Sequence, residues 1–463
     1  MTAEIAILNK MAVALATDSA VTISAGSQEQ KIYDSADKLF DLCGPTPIGV
    51  MIYHGMQFMQ APLPMLIADY RKRYQEFDRL PEAGFDLLRF LCEWGATSPK
   101  KVLEASLTNM VEPVMDRIKA RVQEKLEKLV NTPAVAQQDD FMKNLRVVFE
   151  ESVALFERVL AKRPDAKFLG PDGSKGPPAI GDAEMAAMAS IVKASFHGES
   201  EAMITRLTAI ARNAILKDWL SGGETGIVVA GFGKDDIFPS LASFEIDGMA
   251  FGRLKYIETN TVDIDRDGDR ARVIPFAQKE MVERFLYGLD EGIERYIMQF
   301  CINTVPSISS HILANLEMSD EDKAALGAKS EEAQNAFLGE LANSTFADIR
   351  SQSKSAIEDM VEFMPKPELA TMAEALVNLT SIKRKVSRGM ETVGGPIDVA
   401  VISRADGFIW VKRKHYFEPE LNPRYVSRVH FHQSPRRENS HESQPDPRPS
   451  RPAKPRPSRR PAE

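Results

Sequence analysis

Cysteine is scarce: Cys43, Cys92 and Cys301 are the only three in 463 residues, and they stand far apart. An odd, scattered set makes no disulfide framework and suits a reducing compartment, so a cytoplasmic location is expected. Long apolar runs are also missing. No stretch approaches the roughly 18 residues that a membrane-spanning helix requires, so no membrane partner is expected. The opening has no basic segment before its apolar stretch, and Glu4 and Lys10 break into it, so it does not read as a secretory signal. Positive charge is in deficit. The net charge is −8, and residues 434–463 hold eight Arg/Lys against four Asp/Glu, which leaves about −12 on the rest. Such a body repels phosphate backbones, which argues against nucleic acid as a partner. H-E-x-x-H, G-x-S-x-G and Cys-x-x-Cys do not occur, and "GPDGSKG" lacks the Gly-Lys-Ser/Thr of a phosphate-binding loop. "DIDRDGDR" at 263–270 opens like a calcium loop, but its twelfth position is Ile274 rather than Glu, so it reads as a polar hairpin turn. No metal and no cofactor are expected.

What the chain does have is an apolar content of 43%, enough for a substantial core, arranged in alternating blocks. "EIAILN", "MAVALATD", "AVTISA", "ADKLFDLC" and "PIGVMIYHG" read as strands over 2–55. From about Met56 the period changes to threes and fours. Leu103, Leu107, Met110, Val114, Ile118, Val122, Leu126 and Leu129 mark a long helix with a kink at Pro113, and 141–160 is a second. Residues 163–181 are a loop by composition, and one helix is expected over 182–220. Strands resume over 223–276 in "TGIVVAGFG", "FPSLASFEIDG" and "AFGRLKYIETN". A helical block covers 277–390, and "GPIDVAVISR" and "GFIWVKRK" are strands within 391–429. Residues 430–463 alternate Pro, Arg and Ser and are expected to be disordered. Strands from both ends of the chain can meet, which predicts one layered α+β domain. Helices this long and amphipathic need partners, so a homo-oligomer is expected.

A strand that begins at the second residue is unusual, because chain termini are ordinarily loose. Thr2 follows Met1 directly, and removal of the initiator methionine before a small residue would leave a hydroxyl and a free α-amine on one residue. An α-amine, with a pKa of about 7.7–8.0, is close to ideal as a general base at neutral pH. It could activate its own hydroxyl, and a strand would hold the pair in place.

The element "ATDSAVT" then places Asp18 sixteen residues after Thr2, with Thr22 beyond it, and "DKLFDL" supplies Lys38 at a strand start. "GVMIYHG" ends on Gly55. In these pieces the sequence resembles the proteasome-type N-terminal nucleophile hydrolases. It also resembles bacterial proteins of unassigned role that share an M-T-x-E start and an "ETVGGPIDVAVIS" ending. The resemblance implies an αββα four-layer sandwich, here with enlarged helical insertions at 56–222 and 277–390. It implies threonine amidohydrolase activity on peptide or protein substrates, with Thr2 as nucleophile and Asp18 orienting Lys38. Lys38 would lower the pKa of the α-amine. The Gly55 amide would hold the oxyanion, and Thr22 would contact substrate. An unfoldase or regulator is left open. Three departures stand out. Lys38 lies about four residues late, which leaves Lys31 as an alternative. "PFAQKE" replaces the accessory Ser-Gly-Ser element. In "METVGG", Glu391 stands for an accessory Asp, and Val393 stands where the family has Ser. These departures keep a second reading in view, a catalytically inactive scaffold or binding protein of the same fold.

Overall fold

The computed structural model describes residues 2–25, 29–130, 138–386 and 393–424. The chain divides into a unit Met1–Glu418 and a unit Pro419–Glu463; in the latter the described part holds a 3-10 turn, Pro419–Leu421. The first unit opens with β1 (Ala3–Asn9) and β2 (Ala12–Thr17), both buried along their whole length. A separate ribbon, β3 (Val21–Ala25) with β4 (Glu29–Tyr33), precedes β5 (Leu39–Asp41) and β6 (Ile48–His54). A short ribbon, β7 (Gln57–Phe58) and β8 (Ala61–Pro62), leads into α1 (Leu63–Tyr70) and α2 (Leu80–Ala96). Then come α3 (Lys100–Val130), α4 (Gln138–Ala161), β9 (Lys167–Leu169), α5 (Asp182–Ser195) and α6 (Glu201–Leu216). β10 (Thr225–Gly231), β11 (Ser240–Ala250), β12 (Arg253–Asp263) and β13 (Ala271–Ala277) follow. The second helical block comprises α7 (Glu280–Tyr287), α8 (Glu291–Ala314), α9 (Asp320–Glu340), α10 (Phe346–Glu362) and α11 (Lys366–Val386). β14 (Asp398–Ser403) and β15 (Gly407–Lys412) complete the unit.

The protein is mixed α and β with two main antiparallel sheets. One has the order β13-β1-β2-β14-β15, the other β5-β6-β10-β11-β12-β9. Side chains alternate across a strand, so β1 divides its residues between two cores. Ala6 and Leu8 join Leu15, Met51, Val228, Leu241 and Ile402 between the sheets. Ile5 and Ile7 face outward with Ala14 and Val399, and pack with Leu369, Ala373 and Leu376 of α11 and Val282 of α7. The outer face of the second sheet, with Val50, Ile52 and Phe244, is covered by Leu63 and Ile67 of α1 and by Leu87 and Leu91 of α2. The layers therefore run helix, sheet, sheet, helix. The sheets approach closely at Gly49, where a Cβ would come within 2.8 Å of Ile402 and 3.0 Å of Leu15. Helices α3 to α6 build a further core around Val114, Ile118, Val153, Met188 and Leu207. Among the described residues no helix is long and apolar enough to cross a membrane.

Several details differ from the sequence reading. The helix expected over 182–220 is two, because Phe196 leaves helical geometry, Gly198 takes φ 84°, and the Ser200 side chain caps α6 at the Met203 N–H. The loop 163–181 contains β9, which adds an edge to the second sheet beside β12. "DIDRDGDR" is a turn but not a hairpin: β12 pairs in the second sheet and β13 with β1 in the first, so this segment crosses between them. Asp265 Oδ1 closes that turn by accepting the Asp267 and Gly268 amides. The expected disordered tail, 430–463, and Glu391 lie outside the described residues.

The β1–β2 turn is tied to the helical layer by Asn9. This fully buried side chain donates from Nδ2 to the carbonyls of Val361 and Met364, both at 2.9 Å, and accepts the Met11 and Ala12 amides at 2.9 and 3.2 Å. Asn9→Ala would strand these groups. A loss of about 2–3 kcal/mol is expected, measured as a lower midpoint in urea denaturation.

Candidate active site

Thr2 is 1% exposed and continues the first sheet, its carbonyl accepting the Gln278 amide at 3.2 Å. The period of two puts Thr2 and Glu4 on the face that Ala6 and Leu8 turn toward the second sheet. There the Thr2 hydroxyl, Oγ1, donates to Glu4 Oε2 at 3.0 Å and accepts the His54 N–H at 3.4 Å.

Asp18 follows the end of β2 and is buried. Its N–H donates to the Ala3 carbonyl at 3.1 Å, and its Oδ1 accepts the Ala3 amide at 3.2 Å. Oδ2 accepts the amides of Gly394 at 3.1 Å and Ala20 at 3.4 Å. Lys38, just ahead of β5, is fully buried and donates from Nζ to Asp18 Oδ1 at 2.5 Å, with Glu4 Oε1 at 3.6 Å. The structure thus joins Thr2, Glu4, Lys38 and Asp18 in one buried line.

The buried line holds two carboxyl groups and one amine. Glu4 absorbs the imbalance: burial pushes its carboxyl up from the usual 4.5 to about 8, with Asp18 adding to the rise and Lys38 and the Thr2 hydroxyl opposing it. Its Oε1 has no hydrogen-bond partner among the described residues. Sequence reasoning passed over Glu4, although its place two residues after Thr2 on a strand was the available signal.

The remaining expectations resolve differently. The Gly55 amide, expected near the oxyanion, donates instead to the Glu224 carbonyl at 3.2 Å. A Cβ at Gly55 would come within 2.4 Å of Thr225 Oγ1, so the close approach requires glycine. The amide that reaches Thr2 is that of His54, which takes φ 60°, a left-handed geometry that a non-glycine residue adopts at a cost. Lys38 is the lysine that meets Asp18, while Lys31 lies on β4 opposite Ile23. Thr22 lies on β3 opposite Ile32, among residues whose side chains are outside the description.

Beyond His54 and Gly55 opens a cleft of about 820 Å³. Residues 55–60, Ser106, Asn109 and Asp116 of α3, and the Ser221–Gly223 loop are among its lining. That loop is fastened by a second buried lysine. Lys255 Nζ donates to the Ala214 carbonyl at 3.0 Å and to Asp247 Oδ2 at 2.9 Å, while Asp247 Oδ1 accepts the Ser221 amide at 3.0 Å and hydroxyl at 2.6 Å. At the cleft edge the His54 imidazole is held below its usual pKa by burial, against the opposing pull of Glu224 at 3.7 Å, so it is neutral at physiological pH.

The raised Glu4 pKa has a defined effect on stability. Below about pH 4.5 the carboxyl is protonated folded or unfolded. Between about 4.5 and 8 the folded state keeps a proton that the unfolded state releases, so stability falls as pH rises through this window. Glu4→Gln removes that loss. Its stability should overtake that of the wild type as pH is raised toward 8, by an amount on the order of a few kcal/mol, read as a higher melting temperature in calorimetry across the pH range.

Compared with known proteins, the chain matches no protein-family model and no curated protein.

Proposed function

We propose that the protein is an N-terminal threonine amidohydrolase that cleaves peptide bonds, with Thr2 as nucleophile after removal of Met1. One observation carries the reading: the Thr2 hydroxyl ends a buried Glu4–Lys38–Asp18 line beside an open cleft. The helix-sheet-sheet-helix layering supports it, being the architecture that the resemblance to proteasome-type hydrolases implies.

In this reaction Oγ1 attacks the scissile carbonyl as its proton leaves to a base, giving an acyl-enzyme that water hydrolyses. The positive charge of Lys38 keeps the α-amine of Thr2 neutral, and Asp18 fixes Lys38 against β1. The His54 amide, already at Oγ1, is the nearest backbone donor for charge that develops on the carbonyl oxygen. Peptide and protein substrates follow from the resemblance, and the chemistry draws on no cofactor. The burial of Thr2 and the engaged Gly55 amide favour a second reading, a catalytically inactive scaffold.

Self-association belongs to the same proposal. Helices α8 and α9 have no buried residue, and α8 exposes Tyr296, Phe300, Ile308 and Ile312 at helical spacing. Surfaces of this kind ordinarily meet a partner, and a second copy is the occupant proposed here.

Labelling with a peptide β-lactone, the adduct located by mass spectrometry, decides between the two readings. Thr2→Ala should abolish the adduct and keep the fold, Thr2→Ser should retain part of it, and Lys38→Ala should reduce it by about 100-fold. Unchanged labelling of Thr2→Ala would leave the scaffold reading. Light scattering at micromolar concentration should give a mass above that of one chain, and Phe300→Glu combined with Ile308→Glu should lower it; a monomeric wild type would refute self-association.

A further inference from the structure

We infer that Glu4 is the direct proton acceptor for the Thr2 hydroxyl, standing between that hydroxyl and Lys38. The inference rests on the reading of Thr2 as nucleophile and adds the identity of the base.

The geometry carries it. Glu4 Oε2 receives the Thr2 Oγ1 proton in a hydrogen bond of 3.0 Å, while its other oxygen faces Lys38 Nζ at 3.6 Å. Lys38 is committed to Asp18 at 2.5 Å. Glu4 is 1% exposed in a sheet interior otherwise filled by Ala6, Leu8 and their neighbours, and Oε1 has no hydrogen bond among the described residues. A carboxyl buried with one oxygen unbonded is a costly placement. Packing alone would favour an apolar residue there, as at the next inward positions of β1.

The proton accounting closes within the site. As Oγ1 forms its bond to the carbonyl carbon, the carbonyl π pair moves to oxygen and the Oγ1 proton passes to Glu4 Oε2. When the C–N bond breaks, its electron pair takes that proton from Glu4, and the amine product leaves with Glu4 again a carboxylate. Water then attacks the acyl-enzyme and gives one proton to Glu4, which returns it to Thr2 Oγ1 as the ester bond breaks.

An ordinary carboxylate would be a weak acceptor at neutral pH. A carboxyl whose pKa lies near 8 is a stronger acceptor in its ionised fraction, and that fraction grows as pH rises toward 8. The charged groups that act on it are Lys38 ahead of β5, Asp18 after β2 and the amino terminus, with the Tyr53 hydroxyl of β6 also within electrostatic reach. Its register neighbours, Thr17 on β2 and Phe276 on β13, do not titrate in this range.

The test uses the full chain and the peptide β-lactone, with the rate of adduct formation on Thr2 followed against pH. Wild type should gain rate through about pH 8. Glu4→Gln, which keeps the shape and removes the acceptor, should lose about 100-fold at neutral pH and lose that limb. Should Glu4→Gln label at the wild-type rate with the same limb, while Thr2→Ala does not label, the inference falls and Thr2 remains the nucleophile. Should wild type form no Thr2 adduct at any pH, both fall. If Glu4→Gln does not fold, the wild-type profile still decides. A carboxyl group ionises with little heat and an ammonium with much. A limb that stays at one pH as temperature rises supports Glu4, and one that moves to lower pH identifies the α-amine and overturns the inference.

Discussion

Asp18 is the junction on which the arrangement depends. One carboxylate binds the first strand through Ala3, the segment entering β14 through Gly394, and the buried amine of Lys38. Pairing of β2 with β1 and β14 brings two of these pieces together, and Asp18, just after β2, adds the buried amine of Lys38 to them. Removing one partner from a buried ion pair typically costs 3–5 kcal/mol, because it leaves the other charge uncompensated. Here the same removal would also leave the Ala3 amide beside Thr2 without its acceptor. Strand pairing sets the plane of the site, and Asp18 sets its centre.

Much of the framework was readable as pattern. β1, β2, β6, β10, β11, β14 and β15 alternate or run apolar between clear turns, and the sixteen-residue step from Thr2 to Asp18 puts those residues at adjacent strand ends. Elements whose identity depends on neighbours were not readable. β13 carries Arg272 and Pro275, and becomes a strand because β1 offers it an edge. β9 is three residues that would be coil without β12 beside them. The sheet to which each side of "DIDRDGDR" belongs is a tertiary fact with no local trace.

The site was legible to the same extent. The chemistry of a second-position threonine pointed to Thr2, the resemblance pointed to Asp18 and Lys38, and the structure brings the three together. Gly55 came from the resemblance, as the glycine that ends the matching strand, yet its amide serves the Glu224 carbonyl. The amide that meets Thr2 is that of His54, through a left-handed backbone that residue type does not announce. Glu4 was hidden by a different habit, since a charged residue near a terminus is ordinarily read as solvated. Only the depth of the sheet reveals that it is not.

The Asp18–Gly394 hydrogen bond spans 376 positions of sequence. During synthesis β1 and β2 therefore exist long before the strand that completes their sheet. Until β14 is made, β2 is an open edge, Asp18 lacks its last donor, and the first residues remain within reach of enzymes that trim new chains. Domains that wait for a distant strand fold late. Burial of Thr2 thus waits on a strand made late, and the length of the intervening helices sets that wait.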